Sequence, residues 1–270
     1  MKRGIAAAKL NLALVVGPRR PDGMHEVATV YQCIALADRV EVRVAERTEV
    51  TGFAGDTLVA RALGDLTANG DVKLAARIFK RIPVAAGLGG GSADAAAALR
   101  LGNELLRKPV PADRLEKLGA RLGADVPFFL RDGPQLGTGI GTDLQPIELP
   151  QDYWILLVLP HGATKRSTAD VYRRFDDRNG ADGFVERRAA LVDALHAVGR
   201  PRDLAALPPN DIASSPLAEE LRALGAFRAD VTGAGPAVYG LFHHRDAAAQ
   251  AESRIARQGR TWLTAPAWYV

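Results

Sequence analysis

The sequence predicts an α+β protein of two lobes, and three observations carry the prediction. The chain has 270 residues, enough for two domains of ordinary size, each with its own core. Strand-like and helix-like stretches mix in both halves without regular alternation, which favours α+β over a doubly wound parallel sheet. A polar Pro150-Gln151-Asp152 break separates residues 1–149 from 150–270. With 47% hydrophobic and 24% charged residues, collagen, a coiled coil and a disordered chain are all excluded as the main architecture.

Taken in order, residues 4–16 read as a strand, because Leu10, Leu12 and Leu14 alternate with Lys9, Asn11 and Ala13. Arg20-Pro21-Asp22-Gly23 is a turn, and extended stretches at 27–36 and 40–44 follow, separated by a polar break at Ala37-Asp38-Arg39. Residues 57–66 have helical spacing and 72–78 form a strand. A glycine-rich loop at 83–92 leads into an alanine- and leucine-rich helix over 93–106. A further helix spans 111–122, with a proline at its start and Gly123 at its end. After Gly133 the sequence is strand-like again at 136–149, and beyond the 150–152 break comes a continuous apolar run at 153–160, typical of a buried strand. Helices are expected at 167–175, 184–198, 216–224 and 245–258, and strands at 227–232, 237–242 and 261–265.

The single cysteine, Cys33, excludes an internal disulfide and any multi-cysteine zinc site, and reads as a small buried hydrophobe. No run approaches the roughly 18–20 uncharged apolar residues of a membrane span. Lys9 and Asn11 interrupt an opening that otherwise resembles a signal peptide, so the cytoplasm is the expected compartment and no membrane partner is expected. The 35 basic residues exceed the 31 acidic ones by a net charge of only +4, and they are interleaved with acids rather than striped with aromatics. That pattern argues against nucleic acid, whereas a modest positive field suits a phosphorylated small molecule. Only seven of the basic residues are lysines, so a lysine inside an apolar strand calls for an explanation.

The strongest local signal is the loop before the 93–106 helix. Gly87, Gly89, Gly90 and Gly91 let the backbone approach a ligand closely, and a helix N-terminus offers free N–H groups and a positive dipole end. The reading is a phosphate cradle, weighed about three to one against a flexible connector capped by Ser92 or Asp94. It is neither a Walker A loop, since no Lys-Ser or Lys-Thr follows, nor a dinucleotide GxGxxG. Lys9 and Asn11 share a strand face that meets either solvent or a cleft. Asp125, in the apolar Gly123-Ala124-Asp125-Val126-Pro127-Phe128 stretch, is either a helix cap or a general base in a dry pocket with a cationic partner. His25, after a turn, reads by default as a surface residue, and Gly233-Ala234-Gly235-Pro236 as a tight turn with a second phosphate-facing loop as the minority reading.

Ala8-Lys9-Leu10-Asn11, Asp22-Gly23-Met24-His25, the Lys80 to Asp94 segment, Gly123-Ala124-Asp125-Val126-Pro127 and Thr232-Gly233-Ala234-Gly235 occur in the order and spacing of a GHMP-type kinase. Within that superfamily the chain most resembles the 4-diphosphocytidyl-2-C-methylerythritol kinases. The resemblance implies a two-lobed fold: an N-terminal lobe (1–149) like the second domain of ribosomal protein S5, and a ferredoxin-like C-terminal lobe (150–270). It implies transfer of a phosphoryl group from ATP, with Mg2+, to a hydroxyl of a small cytidine-diphosphate-linked alcohol, by a monomer or homodimer. Asp125 matches the family's catalytic base and Lys9 its partner, with Asn11 beside the substrate. Pro83, Val84, Ala85, Ala86, Gly87, Leu88, Gly89, Gly90, Gly91, Ser92 and Ala93 match the ATP loop. Lys80 matches a residue near the adenine, and Ser92 is a candidate Mg2+ ligand.

His25 matches the reader of the cytosine edge, while Thr168 and Tyr172 resemble the segment that covers the base. Met24 stands where the family usually carries a stacking tyrosine, Thr57 replaces an asparagine near adenine, and Ala234 replaces a hydroxyl residue. The pair Asn210-Asp211 also matches the family, without a role that the sequence assigns. Three other readings stay open: a GHMP kinase for a different small alcohol, a decarboxylase-like lyase of the same superfamily, and a non-catalytic module binding nucleotide or RNA.

Overall fold

The computed structural model describes residues 1–68, 70, 72–163 and 167–267. Its N-terminal half is organised by two long antiparallel strands, β1 (Lys2–Arg19) and β2 (His25–Ala45), paired over nearly their whole length. The turn between them is fixed locally: the Asp22 carboxylate accepts the Met24 amide at 3.0 Å, and Gly23 takes a positive φ of 84°. Around this pair the sheet runs β3 (Glu49–Thr51), β4 (Lys73–Phe79), β2, β5 (Gln135–Thr138), β6 (Asp143–Pro146), with β1 on the free side of β2. From residue 6 to residue 17 β1 is buried on both faces, so its alternation separates two interiors rather than core from solvent.

The polar break expected at Ala37-Asp38-Arg39 does not exist, because β2 runs straight through it. Asp38 is buried, and its carboxylate accepts the Ile82 amide at 2.8 Å and the Arg81 amide beside it, so the polar residue ties β2 to the chain that follows β4. Three helices, α1 (Leu58–Leu66), α2 (Gly90–Asn103) and α3 (Ala112–Leu122), pack against one another, with α2 lying on β1 and β2. The α1 turn starts where the Asp56 carboxylate accepts the amides of Val59 and Ala60, both at 3.1 Å. Alanines fill α2 so that it sits close to the sheet; a Cβ on Gly102 would lie 2.9 Å from Leu66 and 3.0 Å from Leu74. This helix begins at Gly90, three residues earlier than its alanine run suggests.

The second half forms an antiparallel sheet from β7 (Trp154–Pro160), β8 (Arg228–Val231), β9 (Val238–Phe242) and β10 (Gly259–Thr264), in the order β10-β7-β9-β8. Between and after these strands come α4 (Thr168–Asp177), α5 (Phe184–His196), α6 (Pro216–Ala223) and α7 (Arg245–Ile255). Helices α6 and α7 cover one face of this sheet. The other face meets β1: Leu10 and Leu12 share a continuous apolar cluster with Tyr153, Ile155, Leu157, Tyr239 and Leu241. The Tyr239 hydroxyl donates to the Leu12 carbonyl at 3.2 Å. A core therefore crosses the 149/150 division.

Replacing Leu12 by Ala should cost about 3 kcal/mol, the usual penalty for a buried leucine truncation. Trp154, Trp262 and Trp268 all lie after residue 150. Urea unfolding followed by tryptophan fluorescence and by far-UV circular dichroism should show one coincident transition, shifted equally in both probes.

Candidate active site

One cleft of about 1020 Å³ lies between the lobes and gathers nearly every residue singled out in the sequence. It is lined by Lys9, Asn11, Met24, His25, Lys80, the 83–92 loop, Asp125, Thr168, Tyr172 and the 233–235 loop. Ala93 is the exception. It is wholly buried, and its amide donates to the Gly89 carbonyl at 2.9 Å, so it closes the first turn of α2 and does not line the cleft.

Lys9 faces this cleft, not solvent, and is only 4% exposed. Its ammonium donates to Asn11 Oδ1 at 2.6 Å and stands 3.8 Å from Asp125 Oδ2. The Asn11 amide nitrogen in turn donates to the Thr29 hydroxyl at 2.8 Å, and that hydroxyl donates to the Ala13 carbonyl at 2.7 Å. This relay fixes which end of the Asn11 side chain meets the lysine.

Asp125 follows the end of α3 and caps no helix: the three-residue turn that follows has no side-chain cap. Its Oδ1 accepts from the Tyr31 hydroxyl at 3.3 Å, and its side chain is 35% exposed, so the carboxylate is open to the cleft rather than sealed in a dry pocket. Burial, and then the Asp125 charge, push the Tyr31 phenol well above its ordinary range, which keeps it a donor. Tyr31 stacks on Phe128 at 4.8 Å between ring centroids, and the Lys9 ammonium lies 5.8 Å from its ring centre. Sequence reasoning missed Tyr31. Its signal lies in the strand register, which pairs it across from Asn11 and so places both on one face.

The phosphate-loop candidate is shaped by positive φ at Ala85 (62°), Gly87 (85°) and Gly89 (70°), after which α2 begins. It packs against the second glycine loop, whose Gly233 and Gly235 have φ of 56° and 73°. A Cβ on Gly87 would lie 2.4 Å from the Thr232 carbonyl oxygen, and one on Gly233 would lie 3.4 Å from both the Lys9 ammonium and Asn11 Oδ1. The 233–236 segment is thus a second wall of the cleft and not merely a turn. Asn210 holds it, donating to the carbonyls of Val231 and Gly233 at 2.9 and 2.7 Å. The neighbouring Asp211 anchors this stretch of chain to β1, accepting the Val16 amide at 2.8 Å, and also accepts from Arg187 Nε at 3.2 Å.

Lys80 lines the cleft as a paired cation. Its ammonium bonds to Asp94 Oδ2 at 2.8 Å and to the buried Asp38 carboxylate. At the far end of the cleft, His25 is 8% exposed, so it is not the surface residue of the default reading. Its Nε2 pairs with Asp176 Oδ1 of α4 at 2.7 Å, and its ring lies 4.7 Å from that of Tyr172. Met24 stands 46% exposed on the rim. Cys33 is buried, its thiol pushed up to about 12 by burial, and takes no part in the cleft.

Two lobes meeting at twin glycine loops define a GHMP-type kinase, and comparison with known proteins agrees. Residues 57–133 match the model of the GHMP kinases N terminal domain, and residues 213–261 match that of the GHMP kinases C terminal. The chain is 39% identical to the 4-diphosphocytidyl-2-C-methyl-D-erythritol kinase of Anaeromyxobacter sp. (strain Fw109-5), over 94% of this chain and 86% of that protein. A crystal structure of 4-(cytidine 5'-diphospho)-2C-methyl-D-erythritol kinase superposes with a TM-score of 0.79 at 32% identity, covering 98% of this chain and 99% of that one. Mevalonate pyrophosphate decarboxylase from Streptococcus pyogenes superposes at 0.74 with 12% identity, over 100% of this chain and 97% of that one, and so shares the fold alone. The chain belongs to the 4-diphosphocytidyl-2-C-methyl-D-erythritol kinase family of the GHMP kinases.

The contact at Gly87 yields a prediction. Gly87→Ala must move the two loops apart and should weaken ATP binding at least about tenfold. Gly91→Ala, where a Cβ meets only Leu58 at 3.6 Å, should leave the fold intact and raise thermal stability slightly. Equilibrium ATP titration and thermal melts of both variants check this.

Proposed function

We propose that the cleft transfers the γ-phosphoryl group of ATP to a hydroxyl on the methylerythritol part of 4-diphosphocytidyl-2-C-methyl-D-erythritol, giving the 2-phosphate and ADP in non-mevalonate isoprenoid precursor synthesis. The observation that carries this reading is the meeting of Lys9, Asn11, Tyr31 and Asp125 with the two glycine loops in one cleft. The enzyme is a small-molecule kinase, and ATP is its phosphoryl donor. A kinase needs the reacting oxygen and the phosphorus held in line, with the developing charge neutralised. The amides of residues 87–91 and the N-terminus of α2 hold the triphosphate.

Asp125 accepts the proton of the substrate hydroxyl as its oxygen bonds to the γ-phosphorus and the bond to the β-phosphate oxygen breaks, releasing ADP. Lys9, held by Asn11, directs its charge at the same oxygen, and the Tyr31 hydroxyl orients the carboxylate. Mg2+ fits the donors present as an ion carried by the nucleotide. Ser92 places a hard hydroxyl oxygen on the first turn of α2, and among the described residues no group of three or more His, Cys, Asp or Glu offers a cage. The ion would offset phosphate charge beside the loop.

Thr168, Tyr172, His25 and Met24 form the cytidine end, where Tyr172 and residue 24 flank the base and His25 reads its edge. All the cleft residues come from one chain, which acts in the cytoplasm as a monomer or homodimer with lobes 1–149 and 150–270. No helix among the described residues is long and apolar enough to cross a membrane.

Asp125→Asn removes the base but not the cradle, so kcat should fall at least about a thousandfold while the ATP dissociation constant stays within about threefold. Full turnover in that variant would refute the assignment. Met24→Tyr should tighten CMP binding by about 1 kcal/mol without changing ATP affinity. Titration with CMP and UMP reads this, and indifference to the base in both proteins would leave a GHMP kinase for another alcohol.

A further inference from the structure

A polar contact between the two halves of the chain lies at the far end of the cleft, and the phosphoryl transfer itself does not use it. His25, the first residue of β2, places Nε2 2.7 Å from the Asp176 Oδ1 of α4. The imidazole is held by one helix. Its ring lies 4.7 Å from that of Tyr172 and meets the Phe175 ring edge-on at 6.1 Å between centroids. Residues 172, 175 and 176 fall three and four positions apart, so one face of α4 makes all three contacts. Apolar packing docks that helix: Val171 and Phe175 are buried with Leu14 and Val16 of β1 and Val27 of β2.

Asp176 stands in the last turn of α4, where the helix dipole disfavours a negative charge. What the carboxylate gains there is the histidine. A carboxylate only accepts, so in the neutral ring Nε2 carries the hydrogen and donates it, and Nδ1 keeps its lone pair. Nδ1 has no hydrogen-bond partner among the described residues. It is also absent from the fully buried polar atoms left without a partner, and both His25 and Asp176 line the cleft, so the lone pair is open to a ligand there.

An acceptor at this point selects a base by its edge. Cytosine joined to ribose presents one N–H donor group, the amine at position 4, where uracil presents a carbonyl oxygen. The Nδ1 lone pair bonds the first and faces a second acceptor in the other, which leaves both unpaired. The opposite tautomer would reverse that preference.

We propose that Asp176 is a positioning residue for base selection: by accepting the Nε2 hydrogen it makes His25 Nδ1 the acceptor that recognises the amino group of a cytosine base. This rests on the reading of His25, Thr168 and Tyr172 as the cytidine end of the cleft. Asp176 acts through His25 and not on the base. Asp176→Asn keeps the shape of the side chain but removes the commitment, because its amide turns either an oxygen or an NH2 group toward Nε2.

The test has two readouts on the full chain. Long-range proton–nitrogen correlation spectra of protein carrying isotope-labelled histidine, at about pH 8, report which ring nitrogen is protonated. The His25 signals are those lost in His25→Gln. Wild type should show His25 protonated at Nε2 and bare at Nδ1, with the Nδ1 resonance moving on addition of CMP. In equilibrium titrations wild type should favour CMP over UMP at least about tenfold, and Asp176→Asn less than about threefold. Binding of an ATP analogue checks that the variant is folded.

A proton on Nδ1 of the wild type overturns the proposal. So does a variant that binds both nucleotides more weakly but keeps the wild-type ratio, since Asp176 would then be a structural tie alone. The wild-type spectrum is decisive if the variant does not fold. A wild type with the Nε2 tautomer that binds CMP and UMP equally would instead refute the cytidine reading on which the proposal rests.

Discussion

A lysine ammonium buried in the middle of a strand is the constraint on which the rest of this site depends. Lys9 is 4% exposed, and a charge so placed has to be met by oxygen atoms. Asn11 supplies one from two residues along the same strand, and Asp125 supplies charge from the chain beyond α3. The Lys9 amide also donates to the Leu88 carbonyl at 3.0 Å, so the strand that carries the charge holds the phosphate loop by its backbone. Asp125, the Lys9 ammonium and the 83–92 loop therefore all meet at one short length of β1.

Close approach is the second constraint. Both glycine loops lie against this strand, and the Asn11 amide donates to the Thr232 hydroxyl at 3.1 Å. A Cβ on Gly89 would lie 2.8 Å from Phe129 and 3.1 Å from the Lys9 side chain, so Gly89 and Gly87 are glycines for packing as much as for ligand approach. On the other face of β1, Leu10 and Leu12 join the cluster that holds the second sheet in place. The two halves cannot move freely apart around the site without opening that core.

Much of this is legible in the sequence because local patterns encode it. The alternation in β1, the glycine loop feeding an alanine-rich helix, and the Pro-to-Gly span of α3 each rest on a short-range preference. Contacts between distant segments are not written locally. Tyr31 looks like any aromatic in a strand until the register sets it opposite Asn11. Asp38 reads as a polar break, yet amides some forty residues later make it a buried tie. Asp94 reads as a helix cap, but its partner is a lysine fourteen residues earlier. Asn210 and Asp211 stand out in the sequence, but their use depends on a loop and a strand that only folding brings together.

The account treats Lys9 and Asp125 as one catalytic unit, and a double-mutant cycle tests that directly. Turnover of 4-diphosphocytidyl-2-C-methyl-D-erythritol would be measured for Lys9→Ala, for Asp125→Asn and for both together, with ATP saturating. Groups that act as a unit are strongly non-additive, so the double variant should be no slower than Asp125→Asn alone, within about threefold. Losses that multiply in the double variant would show two independent contributions, and would contradict the account.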